Sequence, residues 1–365
     1  MIKILVLGQT PPPYGGQAIM IKKILEGSYN SIKIYHLRMN FSSEIDAVGK
    51  FQFKKIFHLF YLISSVYFFR IYYRINYLYY VPGGPNFIPL YRDILLLNAV
   101  RWLFTKTIFH FHAGSTYSMY NKIPKYLRPL FRKAYFYPDI AIRISLYNPN
   151  DPEMLFAKKE FIVENGIEDI YDDRLSQKKT GTPKIIFLGL ICEAKGICEL
   201  LQACNTLNKN HEDFKLIVIG KFESKLFEKK IFSIVRDFCL EDKIDFTGIL
   251  LGNDKLTHFY KGDIFCLPSH FETFGLVFLE AMQFSLPIVT TNVGGIPALV
   301  KQGENGFLVK KGDHIELANK LSELLHNKKL RIKMGVQGRK MYLENFTIDK
   351  FYIKIENVFL TLNSD

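Results

Sequence analysis

Short apolar runs alternate with stretches of helical periodicity along almost the whole chain, and this alternation is the tightest constraint on its fold. A short run with no polar alternation is buried on both faces. That burial arises when helices cover both faces of a parallel sheet. Residues 2–7, 77–81, 107–111 and 161–163 read as such strands in the first half, and residues 184–188, 214–219, 244–247, 264–267 and 287–290 in the second. Between them Ile197, Leu200, Leu201, Cys204 and Leu207 recur at helical spacing, as do Ile231, Ile234, Val235 and Phe238. A helix is expected from about Ala18. Beyond Gly312 the chain reads as helical nearly to its end, with breaks near Asn327 and Asn345. A polar stretch over residues 167–183 reads as a linker, and 365 residues suit two domains of roughly 150 each. The expected class is α/β: two doubly wound, Rossmann-like domains facing across a cleft, with residues 1–170 in the first and 171–345 in the second. Ligands of such sheets bind beyond the carboxyl ends of the strands, so the residues just after strands are the candidates for chemistry.

Charge divides the chain unevenly. Residues 1–150 hold 19 Lys and Arg against 5 Asp and Glu, an excess of +14, whereas the remainder is nearly neutral at −1. A basic first domain faces an anionic partner: a membrane surface, phosphate or nucleic acid. Residues 51–80 carry 13 aromatic side chains interspersed with Lys54, Lys55, Arg70 and Arg74. That run fits a core helix leading into a strand, and it also fits a helix lying in a bilayer interface. No nucleic-acid-binding motif accompanies it, so nucleic acid is not an expected partner. The uncharged aromatic-rich stretch over residues 56–69 is shorter than the ~20 residues of a bilayer-spanning helix. Five cysteines without a CxxC pair (Cys192, Cys198, Cys204, Cys239 and Cys266) read as small buried apolar residues in a reducing compartment. Residues 2–7 lack the form of a signal peptide. The expected location is cytoplasmic, peripheral on the inner face of the cytoplasmic membrane.

The most informative segment runs from Pro268 to Met282. A strand precedes it and a helix starts near Gly275 or Leu276. Glu272 therefore lies in the strand-to-helix loop, and Glu280 just over one turn into the helix. The backbone N–H groups of Phe274, Gly275 and Leu276 sit at a helix N-terminus, a natural place for phosphate. Carboxylates beside it can accept hydrogen bonds from sugar hydroxyls. The same glutamates could also be dipole complements or solvated charges.

Two glutamates spaced as Glu272 and Glu280, with Phe274 and Gly275 between and Ala281 and Met282 after, resemble the E-x7-E signature of retaining GT-B glycosyltransferases. The likeness continues through residues 286–290, 294–297 and 304–309 and is typical of the large family 4 of these enzymes. The resemblance implies that Glu272 contacts the transferred sugar, that Glu280 binds the nucleotide ribose, and that the amides of Phe274, Gly275 and Leu276 hold sugar and diphosphate. It places a diphosphate-binding cation at Lys195, which could otherwise be an exposed lysine at a helix start. Leu190 stands where the family usually carries a second cation, Arg, and Ser285 where a Gly is common. Gly220, Gly248 and Ile249 match loops that border the base, or are turn residues.

In the first domain the resemblance assigns Gly15 and Gly16, in the loop after the first strand, to the diphosphate and acceptor. The loop lacks G-x-G-x-x-G, which argues against a dinucleotide cofactor. Strand alternation puts His110 and His112 on one side and the Phe residues on the other. His112, at the strand's carboxyl end, matches the family's histidine near the reacting centre; His110 reads as structural. The resemblance also implies a final helix, over residues 346–365, that crosses back to the first domain. It implies a nucleotide-sugar donor as substrate, no cofactor and no metal, and leaves the acid pair Asp172 and Asp173 solvated. The function expected is retaining glycosyl transfer to an acceptor hydroxyl, on a lipid-linked glycan in cell-surface polysaccharide assembly. A GT-B epimerase, a phosphorylase and a degenerate sugar-nucleotide-binding protein are the alternatives.

Overall fold

The computed structural model describes residues 1–41, 53–175 and 181–363. Phe51 of the aromatic run and residues 176–180 of the polar stretch lie outside them. Two compact units emerge: residues 1–165 with 349–365, and residues 166–348.

The first unit is built from β1 (Ile2–Gly8), α1 (Gly16–Glu26), β2 (Ile32–Arg38), α2 (Phe53–Tyr72), β3 (Tyr77–Tyr80), α3 (Phe87–Val100), β4 (Lys106–Phe111), α4 (Arg128–Tyr135), β5 (Ile140–Arg143), α5 (Asp151–Met154) and β6 (Lys159–Ile162). The second contains β7 (Lys184–Leu188), α6 (Ile197–Lys209), β8 (Lys215–Ile219), α7 (Lys225–Asp237), β9 (Ile244–Gly248), α8 (Gly252–Lys261), β10 (Ile264–Leu267), α9 (Leu276–Gln283), β11 (Ile288–Thr291), α10 (Ile296–Leu299), β12 (Gly306–Val309), α11 (His314–His326) and α12 (Lys328–Asn345). The last helix, α13 (Ile348–Leu360), belongs almost wholly to the first unit.

Each unit holds one six-stranded sheet, ordered β2-β1-β3-β4-β5-β6 and β12-β11-β10-β7-β8-β9, and the paired strands run parallel. The doubly wound expectation holds. The strand order of the second sheet reverses between β7 and β10, and that of the first between β1 and β3. At such switch points the loops diverge and open a crevice.

In the first unit, Phe109 and Phe111 of β4 enter a core with Leu62 and Val66 of α2, Leu90 and Ile94 of α3, and Phe131 and Tyr135 of α4. Each such side chain contributes about 1.5–3 kcal/mol by leaving water. The opposite side of the sheet receives α13, whose Phe359 meets Tyr29 and Tyr79 edge-on at 5.8 and 5.9 Å. Lys354 pairs with Glu164 at 2.8 Å, and Glu356 accepts from the backbone N–H of Asn30.

α2 is apolar on both its faces. Its inward face packs on the core, while Phe57, Phe60, Tyr61, Phe68, Ile71 and Tyr72 form an outward stripe, each between 55% and 76% exposed. The aromatic run is thus core on one side only. Among the described residues no helix is long and apolar enough to cross a membrane.

The polar stretch after Asn165 is not a free linker. Arg339 grips Asp169 with two hydrogen bonds of 2.7 Å, Gln283 donates to the carbonyl of Glu168, and Tyr342 donates to that of Ile167. Nor is Asp172 merely solvated: it holds Arg174, and its backbone N–H donates to Tyr260. Three of the cysteines are buried and Cys198 is half-buried, but Cys239 is exposed; all five are free.

Ser285, just after α9, adopts φ 54°, in the left-handed region that costs an L-residue about 1 kcal/mol. The backbone there is held by α12, because a Cβ on Gly335 would stand 2.0 Å from the Ser285 carbonyl oxygen. Ser285→Gly is therefore expected to stabilise the fold by ~0.5–1 kcal/mol, visible as a raised Tm. A lowered Tm would contradict the strained turn.

Candidate active site

The second unit gathers most of the expected residues at the carboxyl edge of its sheet. Lys195 follows β7 and Glu272 follows β10, the two strands that flank the reversal of strand order. Two backbone approaches lock these loops together. Gly196 sits at φ 74°, and a Cβ there would lie 2.0 Å from the carbonyl oxygen of Pro268. The backbone N–H of His270 donates to the carbonyl of Ala194 at 2.9 Å. On the far side, a Cβ on Gly294 would lie 1.9 Å from the Glu272 carbonyl, which accepts the N–H of Gly295. No larger residue could enter either place without moving the backbone.

Held in this way, Lys195 Nζ donates to Glu272 Oε2 at 2.5 Å. Both side chains are partly exposed, so the pair is open to ligand. Gly275 is the N-cap of α9, and the amides of Leu276 and its neighbours belong to the helix's first turn, where N–H groups lack intrahelical acceptors. Phe274 is buried with its ring edge-on to Phe346, so only its backbone is left to meet a ligand. One turn into α9, Glu280 receives both hydrogen bonds of Lys255 at 3.1 Å. Gly220 donates to the carbonyl of Gly248, and Ile249 stands exposed in the loop after β9.

Two polar contacts here carry no mark in the sequence. Lys255 on α8 fixes the Glu280 carboxylate, and His270 binds Glu199 at 2.8 Å. Both partnerships span long sequence separations, and no local motif signals them.

In the first unit Gly15 caps α1 with nothing within 4 Å of where its Cβ would lie, so the mouth of that helix is open; Gly16 is its first residue. His112 directly follows β4 and is buried. Its ring lies 4.0 Å, centroid to centroid, from that of His110. His110 is anchored through Nδ1 to the hydroxyl of Tyr79, as a structural residue would be. Burial pushes the His112 pKa down to about 3, and burial together with His112 pushes that of His110 well down. His112 is therefore a neutral imidazole, able to give or take one hydrogen bond but not to carry charge.

Comparison with known proteins gives this geometry its family. Residues 171–341 match the model of glycosyl transferases group 1. That match takes in nearly the whole of the second unit. CapM of Staphylococcus aureus, a capsular polysaccharide biosynthesis glycosyltransferase, is 31% identical over 175 residues, 48% of this chain and 45% of CapM. The chain spans about half the length of the curated relatives it matches. Among solved structures, sucrose-phosphate synthase from Thermosynechococcus elongatus superposes with a TM-score of 0.74 at 16% identity, both chains covered in full. HepE of Anabaena, solved with UDP and with UDP-glucose, gives 0.74 and 0.73 at 17% identity, again over both full chains. These likenesses show the fold, the GT-B architecture of two parallel six-stranded α/β units.

The buried histidine pair makes folding sensitive to acid. A group whose pKa is lower folded than unfolded binds its proton more readily when unfolded. Stability is then full above the unfolded value of about 6.5 and falls as the pH drops from there towards 3. The slope approaches ~1.4 kcal/mol per pH unit for each buried histidine. Denaturant unfolding at pH 7 and pH 5 should show the loss, and His112→Asn should show a smaller one. Equal losses in the two proteins would contradict a buried neutral His112.

Proposed function

We propose that this chain is a retaining glycosyltransferase that moves a sugar from a nucleotide sugar to an acceptor hydroxyl. The observation that carries this is the Lys195–Glu272 pair at the mouth of α9, at the strand-order reversal of a glycosyl transferases group 1 domain. Lys195 and the first amides of α9 stabilise the departing diphosphate, whose negative charge grows as the glycosidic bond breaks. Glu272 exchanges its lysine for hydroxyls of the transferred sugar, and Glu280 accepts from the ribose. The first unit offers His112 as a neutral hydrogen-bonding group that positions sugar and acceptor, with Gly15 and Gly16 leaving room for diphosphate. Gly220 and Ile249 border the base. The complexes of HepE make UDP-glucose the first donor to test and UDP the first nucleotide to test for binding.

The reaction needs no protein nucleophile and no metal, since Lys195 and the helix amides supply the positive potential. For the acceptor we propose a lipid-linked glycan at the anionic cytoplasmic face of the membrane, as in cell-surface polysaccharide assembly. The biosynthetic role of CapM and the +14 excess of residues 1–150 support that choice.

A panel of nucleotide sugars, assayed for donor hydrolysis and then for transfer, tests the reading. Glu272→Ala should lower turnover by at least about a hundredfold with the fold intact, because its carboxylate touches sugar. Glu280→Ala should mainly weaken UDP binding by ~1.5–3 kcal/mol, the worth of a hydrogen bond to a charged group, read by calorimetry. Unchanged turnover in Glu272→Ala would sink the assignment. Turnover should also survive a chelator, and strict metal dependence would overturn the metal-free mechanism.

A further inference from the structure

A lipid-linked acceptor at the membrane requires a surface by which the protein meets the bilayer. We propose that the outward faces of α2 and α3 together form this docking surface, inserting side chains among lipid headgroups and upper acyl chains. The proposal rests on the membrane-acceptor reading.

Apart from Ser64, the exposed side chains of α2 among the described residues are aromatic or aliphatic. Beside it α3 exposes Leu95, and Trp102 lies just beyond its end, 64% exposed. The helices lie side by side: Tyr67 of α2 donates to the carbonyl of Ala99 at 3.1 Å, its ring meets that of Trp102 at 6.2 Å, and Arg70 donates to the carbonyl of Leu103. The two stripes therefore join into one apolar patch. Patches of this kind mark surfaces that are covered in use.

Charge identifies the cover. Residues 53–138 contain 12 Lys and Arg and a single acid, Asp93. That one acid is fully buried, bonded to Arg92, Tyr135 and the backbone N–H of Gly83. The patch is thus framed mainly by cations; the one carboxylate that shares a pocket with Trp102, Asp139, is already held by Lys158 and by the backbone N–H of Thr107. Anionic lipid complements such a frame. A second copy of this chain would set cation against cation. Tyr and Trp at the patch suit the headgroup layer, where an apolar ring with a polar tip is best placed. No described helix can cross the bilayer, so α2 lies on it. Two forces act together: salt weakens the charge contribution, and the aromatic contribution persists.

Trp102 is the chain's one tryptophan, so its fluorescence reports this surface without labelling. The full chain is titrated with phosphatidylglycerol vesicles and with phosphatidylcholine vesicles, at low and high salt. Binding to phosphatidylglycerol should shift Trp102 emission to the blue, and lipids brominated in the acyl chain should quench it. High salt should reduce binding without abolishing it. Phe60→Ser, Phe68→Ser and Ile71→Ser combined should weaken partitioning by at least about tenfold. Because these side chains are exposed, the variant should keep the wild-type Tm and its donor hydrolysis without vesicles. Three results would overturn the proposal: no vesicle binding, binding with Trp102 emission unmoved, or a lipid-free dimer in sedimentation that the triple variant dissolves. Absence of donor hydrolysis in the wild-type protein would count against the glycosyltransferase reading instead, so the two can fail separately.

Discussion

Parallel strand pairing is the constraint on which the rest of the structure depends. When paired strands run parallel, their carboxyl ends leave the sheet along one edge, and the loops bearing Lys195, Gly220, Ile249 and Glu272 are gathered there. The winding order then does the finer work. Because the second sheet reverses direction between β7 and β10, the loops after these two strands meet over a gap rather than over a neighbouring helix. Close backbone contact at Gly196 and Gly294 fixes the spacing of the loops. The Lys195–Glu272 contact is the chemical product of that stacking.

The same logic separates residues that hold from residues that act. His110 and His112 share one face of β4 and touch each other. One is tied to Tyr79, and the other stands at the strand's end. Glu272 and Glu280 are each paired with a lysine, from α-helical or loop positions far away in sequence. A carboxylate oriented by a partly exposed lysine can accept from a hydroxyl, and such a lysine can donate to a phosphate.

Much of this is legible in the sequence because a doubly covered parallel strand leaves a plain mark. The strands at residues 184–188 and 264–267 coincide with β7 and β10, and the turn to α9 falls at Gly275 as expected. The strand expected at 161–163 begins earlier, at Lys159, since an edge strand alternates and so hides its polar residues in a loop-like pattern. β2 leaves no clear mark for the same reason: Ile32–Arg38 is an edge strand with a largely half-buried face. β5 is only four residues long and ends in a buried arginine, Arg143, that Glu160 neutralises. The residue types of the site are readable through their motif. Their pairings are not, because Lys195 finds Glu272 across 77 positions. The left-handed turn at Ser285 is also unreadable, since serine gives no sign of it.

The placement of α13 has a consequence for the order in which the molecule can come into being. The first unit's strands leave the ribosome early, but the helix that covers Tyr29 and Tyr79 is made only after the whole of the second unit. The contact between Asn30 and Glu356 closes a loop of 326 residues. A nascent first unit therefore waits with one side of its sheet only partly covered, by α1, while the second unit can fold at once from contiguous chain. Completion of the first unit thus follows synthesis of the second, and it depends on a short segment reaching back across everything made since.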